Sequence, residues 1–165
     1  MGQSAPATVY LGLGSNLDNP PTQVRAAISL LDADPHIQVI QSSPFYSTKP
    51  VGPQDQPDFC NAVIKILTTY APLELLDSLQ QLEQRQGRVK KRHWGERVID
   101  IDILLYDNLE FSSDRLTIPH KELIHRDFVL KPLMDIAPTL SLPSGALLRN
   151  LLANLPDSRL TIQCP

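Results

Sequence analysis

Apolar residues change period along this chain, and the changes predict the order of its elements. Thr8–Leu13 is a short apolar run suited to a buried strand, closed by Gly12-Leu13-Gly14-Ser15-Asn16. Asp18 or Asn19 is placed to cap a helix, with Pro20 and Pro21 suited to its first turn. Val24, Ala27, Ile28 and Leu31 then keep the i, i+3, i+4, i+7 spacing of one buried helical face, which Pro35 ends. Ile37–Tyr46 reads as a second strand and Phe59–Thr69 as a third. Pro72 opens a second helix with Leu75, Leu76, Leu79 and Leu82 inward, and Gly87 is placed to stop it. Val98–Tyr106 is a fourth strand.

The order β-α-β-β-α-β predicts an α+β fold of the ferredoxin-like kind: an antiparallel sheet with both helices on one face. Short C-terminal helices follow, the last expected over Ala146–Leu155. Residues 1–7 read as a loose tail and 8–165 as one domain.

Composition narrows the function. With 165 residues, 42% of them hydrophobic and 20% charged, the chain can bury a core. A net charge of −3 offers no global basic field to a nucleic acid or a membrane surface, so neither is an expected partner. Two cysteines, Cys60 and Cys164, form neither a disulfide framework nor a zinc pattern. No signal peptide is apparent, and no apolar run approaches the ~20 residues needed to span a bilayer. A monomer in a reducing cytoplasm is the expectation.

One strand carries unexpected charge. In Val98-Ile99-Asp100-Ile101-Asp102-Ile103-Leu104-Leu105-Tyr106, a period of two puts Val98, Asp100, Asp102 and Leu104 on one face. Ile99, Ile101, Ile103 and Leu105 belong to the other, against the helices. The aspartate face is then the far side of the sheet, open to solvent or ligand. Carboxylates ~6.5–7 Å apart along a strand can converge on hard cations. A polar outer face would also account for them, but Asp is a poor strand former and like charges need compensation.

The preceding segment supplies it. Residues 87–97, GRVKKRHWGER, hold five cations between a helix and this strand. Cations beside metal-binding acids suit a polyphosphate and point to phosphoryl transfer. The usual nucleotide motifs are absent: Gly12-Leu13-Gly14-Ser15-Asn16-Leu17 lacks the third glycine of a dinucleotide fingerprint, and there is no P-loop or kinase signature. These glycines instead suit a tight strand exit and close backbone packing. Beyond the strand, Arg115, Thr117, His120, Arg126 and Phe128 add further polar and aromatic groups. In the proline-rich stretch 43–57 and its exit, Phe59 and Asn61 lie one strand period apart, an aromatic and an amide suited to a flat heterocycle.

Together, GPQDQPDFCNAV, LEQRQGRVKKRHWGERVIDIDILLY and RLTIPHKELIHRDFVLKPLMDIAP, with the opening YLGLGSNL, resemble hydroxymethyl-dihydropterin pyrophosphokinase. The resemblance implies transfer of pyrophosphate from ATP to the hydroxymethyl group of 6-hydroxymethyl-7,8-dihydropterin, with AMP released and two Mg²⁺ ions as cofactors. It implies Asp100 and Asp102 as metal ligands, and Arg88 and Arg97 beside them as catalytic cations. For ATP it implies Gln80, Glu83, Lys90, Trp94, Ile103, Arg115, Thr117, His120 and Arg126, with Trp94 on a mobile lid. For the pterin it implies Thr48, Val51, Gly52 and Asn61, with Phe59 and Phe128 as stacking aromatics. Phe59 replaces a tyrosine usual in the family, and Lys90 an arginine, a point charge in place of a bidentate fork. Two other classes share the fold: an RNA-binding module, which would present aromatics rather than acids on the open face, and a silent MgATP-binding regulator.

Overall fold

The computed structural model describes residues 5–49, 55–87, 98–155 and, as backbone, 161–162. The predicted positions Arg88, Lys90, Trp94, Arg97, Val51 and Gly52 lie outside the described residues.

The main sheet is built on β1 (Ala7–Ser15) and β4 (Phe59–Thr68), which pair antiparallel along their full lengths. On the other side of β1 lies β5 (Asp100–Tyr106), also antiparallel. The expected second strand is present but broken. β2 (Ile37–Ser42) and β3 (Tyr46–Thr48) both pair with β4, separated by Ser43-Pro44-Phe45. Proline has no N–H to give a ladder, which explains the interruption. The order β5-β1-β4-β2/β3 is the ferredoxin-like one, and β8 (Thr161–Ile162) pairs with the outer edge of β3.

Helices α1 (Pro20–Asp32) and α2 (Pro72–Arg85) pack on one face. Val24, Ala27 and Leu31 of α1 and Leu75, Leu79 and Leu82 of α2 are buried against Val9, Leu11, Ile64, Ile66 and the isoleucines of β5. Gly87 follows α2 at φ 89°, the left-handed stop expected of it. Neither Asp18 nor Asn19 caps α1 by its side chain: Asn19 stands at the cap position with a left-handed backbone.

The opposite face is open at the end where the aspartates lie and covered at the other. After the short hairpin β6 (Phe111–Ser112) and β7 (Thr117–Ile118), helix α3 (Asp127–Ile136) and helix α4 (Leu148–Ala153) cover one end of it. The last helix is thus shorter than the span Ala146–Leu155. Val129, Leu130, Leu133 and Leu148 pack here with Tyr10, Val63, Leu104 and Leu105. Leu105 is therefore not on the isoleucine face. The β1–β5 register jumps between Tyr10↔Leu105 and Leu11↔Ile103, leaving Leu104 as a bulge residue, so that Leu105 joins Leu104 on the second face. Among the described residues no helix is long and apolar enough to cross a membrane.

Candidate active site

The uncovered end of the second face is a cavity of about 530 Å³, in the range of small-molecule sites. Its floor is β1. Gly14 pairs with Asn61 of β4 on one side and Asp100 of β5 on the other; Gly12, two residues earlier, pairs with Val63 and Asp102. Because the strands alternate, the glycines, the amide and both acids share one face. A Cβ on Gly12 would touch Leu104 at an ordinary 3.5 Å, but one on Gly14 would lie 2.8 Å from Asn61 Oδ1. The glycine at position 14 makes room for the amide.

Asn61 is buried, and its Nδ2 donates to Thr48 Oγ1 at 2.7 Å. That bond fixes which way the amide points and leaves its oxygen toward the Gly14 floor. Phe59, paired with Thr48 and one period from Asn61, lines the same end. Phe128, in the first turn of α3, lines the cavity as well. The turn after β1 is tied to the chain just before β4. Buried Asn16 donates through Nδ2 to Gln56 Oε1 and to the Pro57 carbonyl, each at 3.0 Å.

Asp100 and Asp102 line the other end, half-buried and exposed respectively. His120 joins them because its backbone N–H donates to the Leu104 carbonyl at 3.0 Å, two residues beyond Asp102. Its Nδ1 accepts from the Glu122 N–H at 3.1 Å, which assigns the proton of the neutral ring to Nε2, 4.0 Å from Asp102 Oδ2. Burial lowers the imidazole pKa below its ordinary value; Asp102 opposes that shift and Arg126 adds to it. Arg126 also lines the cavity, its guanidinium carbon 5.5 Å from the centre of the Phe128 ring. Lys49, Lys121 and Glu122 line it too and were not singled out by sequence. Lone charged side chains in loops carry no periodic signal, though Lys49 and Lys121 directly follow Thr48 and His120, and Glu122 stands two residues after His120.

Thr48, Phe59, Asn61, Asp100, Asp102, His120, Arg126 and Phe128 thus meet around one cavity. Other expected positions do not line it. The Ile103 side chain is in the main core, so only its backbone is left for a ligand. Buried Glu83 accepts the Ile101 N–H at 2.7 Å, tying α2 to the edge strand between the two aspartates. Arg115 donates to Asp77 at 2.5 Å and to Gln80 at 3.3 Å on the exposed side of α2, and Thr117 is exposed in β7.

The donor set fits a hard cation. Among the described residues no group of three or more His, Cys, Asp and Glu side chains could hold a metal ion by itself. Two carboxylates on one face are what Mg²⁺ takes from a protein when phosphate oxygens and water complete its shell.

Comparison with known proteins gives the family. The family model of 7,8-dihydro-6-hydroxymethylpterin-pyrophosphokinase (HPPK) matches residues 10–138. The 2-amino-4-hydroxy-6-hydroxymethyldihydropteridine pyrophosphokinase of Haemophilus influenzae is 46% identical over 153 residues, covering 93% of this chain and 96% of its own. That of Pseudomonas aeruginosa is 46% identical over 148 residues, covering 90% and 91%. The crystal structure of Plasmodium falciparum HPPK-DHPS with pteroate superposes with a TM-score of 0.72 at 15% identity, a likeness of fold that covers 93% of this chain and 43% of that longer one. With relatives this similar along nearly their whole lengths, the chain belongs to the 7,8-dihydro-6-hydroxymethylpterin-pyrophosphokinase family and is a pyrophosphokinase.

Proposed function

We propose that the cavity on the second face is where this pyrophosphokinase of folate biosynthesis transfers pyrophosphate from ATP to 6-hydroxymethyl-7,8-dihydropterin. The hydroxymethyl oxygen forms a bond to the β-phosphorus, the bond from that phosphorus to the α,β-bridging oxygen breaks, and AMP leaves; the alcohol proton is lost. The observation that carries this reading is the row Asn61–Gly14–Asp100. It joins a slot for a flat, hydrogen-bonding ring to a pair of acids within one cavity.

Each residue has a part in that reading. Phe59 and Phe128 take the faces of the pterin, and Asn61, oriented by Thr48, takes its edge. Val51 and Gly52 belong to the same pocket by family likeness. Asp100 and Asp102 would hold two Mg²⁺ ions, which when bound neutralise triphosphate charge. Arg126 and neutral His120, a donor through Nε2, sit where phosphate oxygens would lie. Arg88, Lys90 and Arg97, from the basic stretch before Asp100, add countercharge, and Trp94 covers the nucleotide. Gln80, Arg115, Thr117 and the backbone of Ile103 are the outer nucleotide contacts. Catalysis of this kind is mostly positioning and electrostatics.

The test is AMP release from MgATP with and without 6-hydroxymethyl-7,8-dihydropterin. AMP formed in step with pterin diphosphate is expected. MgATP binding with no AMP would make the chain a silent regulator.

A further inference from the structure

The slot between Phe59 and Phe128 has one wall on a strand and the other on a helix. Two rings that sandwich a flat heterocycle must stand ~7 Å apart, twice the contact distance of carbon atoms. Something has to hold α3 at that height and rotation. Its apolar contacts with Val63, Leu104 and Leu105 are not directional. The turn that carries Phe128 is itself weakened, because Pro132 has no N–H to return to the Phe128 carbonyl.

A directional contact lies two turns away. Tyr46 of β3 is buried, and its hydroxyl donates to Asp135 Oδ2 in the last turn of α3. Lys131 holds the other carboxylate oxygen, Nζ to Oδ1 at 2.8 Å. Asp135 is seven residues from Phe128, so both project from the same stripe of the helix, about 10 Å apart along its axis. At the strand end, Tyr46 pairs with Asn61 and stands two residues before Thr48, the partner of the Asn61 amide. One hydrogen bond therefore joins the amide wall of the slot to the helix that carries its aromatic lid.

We infer that Tyr46 and Asp135 are positioning residues for the pterin, setting the gap between Phe59 and Phe128 without touching the substrate. The inference rests on the pterin-slot reading above. Burial, followed by the bond to Asp135, raises the Tyr46 phenol pKa well above its ordinary value, so the hydroxyl stays a donor throughout the working pH range.

The test uses the full chain with Tyr46→Phe, Asp135→Ala, Asp135→Asn, Phe128→Ala and the double variant Tyr46→Phe/Phe128→Ala, comparing KM for pterin, KM for ATP and Tm. Tyr46→Phe is expected to raise the pterin KM at least fivefold and leave the ATP KM within twofold. Asp135→Ala should do the same, and decides the matter should Tyr46→Phe fail to fold. Asp135→Asn, which keeps an acceptor, should lie closer to the parent. On the Phe128→Ala background, Tyr46→Phe should add less than twofold, because its effect passes through that ring. A pterin KM within twofold of the parent in Tyr46→Phe, or an equal effect on both backgrounds, would overturn the inference even if Tm falls. If Phe128→Ala itself leaves the pterin KM unchanged, the slot reading fails, and the strut with it; a rise in Phe128→Ala without one in Tyr46→Phe sinks the strut alone.

Discussion

Gly14 and Asn61 face each other across β1 and β4 so closely that a single added carbon, 2.8 Å from Asn61 Oδ1, would force the amide to move. Thr48 grips the same amide from the other side at 2.7 Å, which restricts its retreat. Overpacking of this kind typically costs ~1–3 kcal/mol. Gly14→Ala should therefore raise the pterin KM by about tenfold, a figure equivalent to ~1.4 kcal/mol, with the ATP KM little changed. An unaltered pterin KM would mean that the amide does not hold the ring.

Asp100→Asn and Asp102→Asn keep the shape of each side chain and remove its charge. Loss of one preorganised electrostatic contact is commonly a 10²–10³-fold effect, and each variant should lose about that in steady-state AMP production. Tm should change little, which separates a loss of chemistry from a loss of fold. Stripping divalent cations with EDTA should stop the parent enzyme without unfolding it, and Mg²⁺ should restore it. Near-normal turnover in both variants would remove the metal role.

Glu83 separates two readings of one residue. Its carboxylate accepts the Ile101 N–H at 2.7 Å, on the outer edge of β5 and between the two aspartates. Glu83→Ala leaves that buried N–H without this acceptor and should lower stability by ~1–3 kcal/mol in urea unfolding. Glu83→Gln keeps an acceptor and should bind ATP almost normally. Weakened ATP binding in Glu83→Gln at an unchanged unfolding midpoint would restore Glu83 to the nucleotide.

All four tyrosines have raised pKa values. Burial is the largest cause for each: Tyr10, Tyr46, Tyr70 and Tyr106. The folded phenols keep their protons at a pH where those of the unfolded chain, with an ordinary value near 10, have lost them. Between those values the folded state binds more protons, so stability falls as pH rises above ~10. A phenolate absorbance titration should show little ionisation at pH 10 while the fold persists, and Tyr46→Phe should remove the last group to titrate. Four normal phenols at pH 10 in folded protein would contradict this.

The parts of the site that were legible are those set by local period. Asp100 with Asp102, and Phe59 with Asn61, follow from alternation along single strands, and Val24, Ala27 and Leu31 from helical spacing. What the pattern could not carry was tertiary. Leu105 faces the second layer because of a bulge at Leu104, and a bulge leaves no mark in a run of apolar residues. The split between β2 and β3 was readable from Gln41-Ser42-Ser43-Pro44, which interrupts the apolar residues between Ile40 and Phe45. Glu83 and Arg115 are both charged residues with no local mark of burial, yet one is buried on a backbone amide and the other pairs at the surface with Asp77. α3 has an apolar stripe but no local sign of which sheet face it covers.

The bare lane of Gly12 and Gly14 makes β1 a ruler. The amide stands one strand to one side of it and the acids one strand to the other, so their backbones are separated by two interstrand spacings, ~9.5 Å. Backbone hydrogen bonds set that length, and exchanging one core side chain for another of similar size leaves it unchanged. An enzyme that must place an alcohol against a chain of phosphates has its unit of measure in the ladder itself.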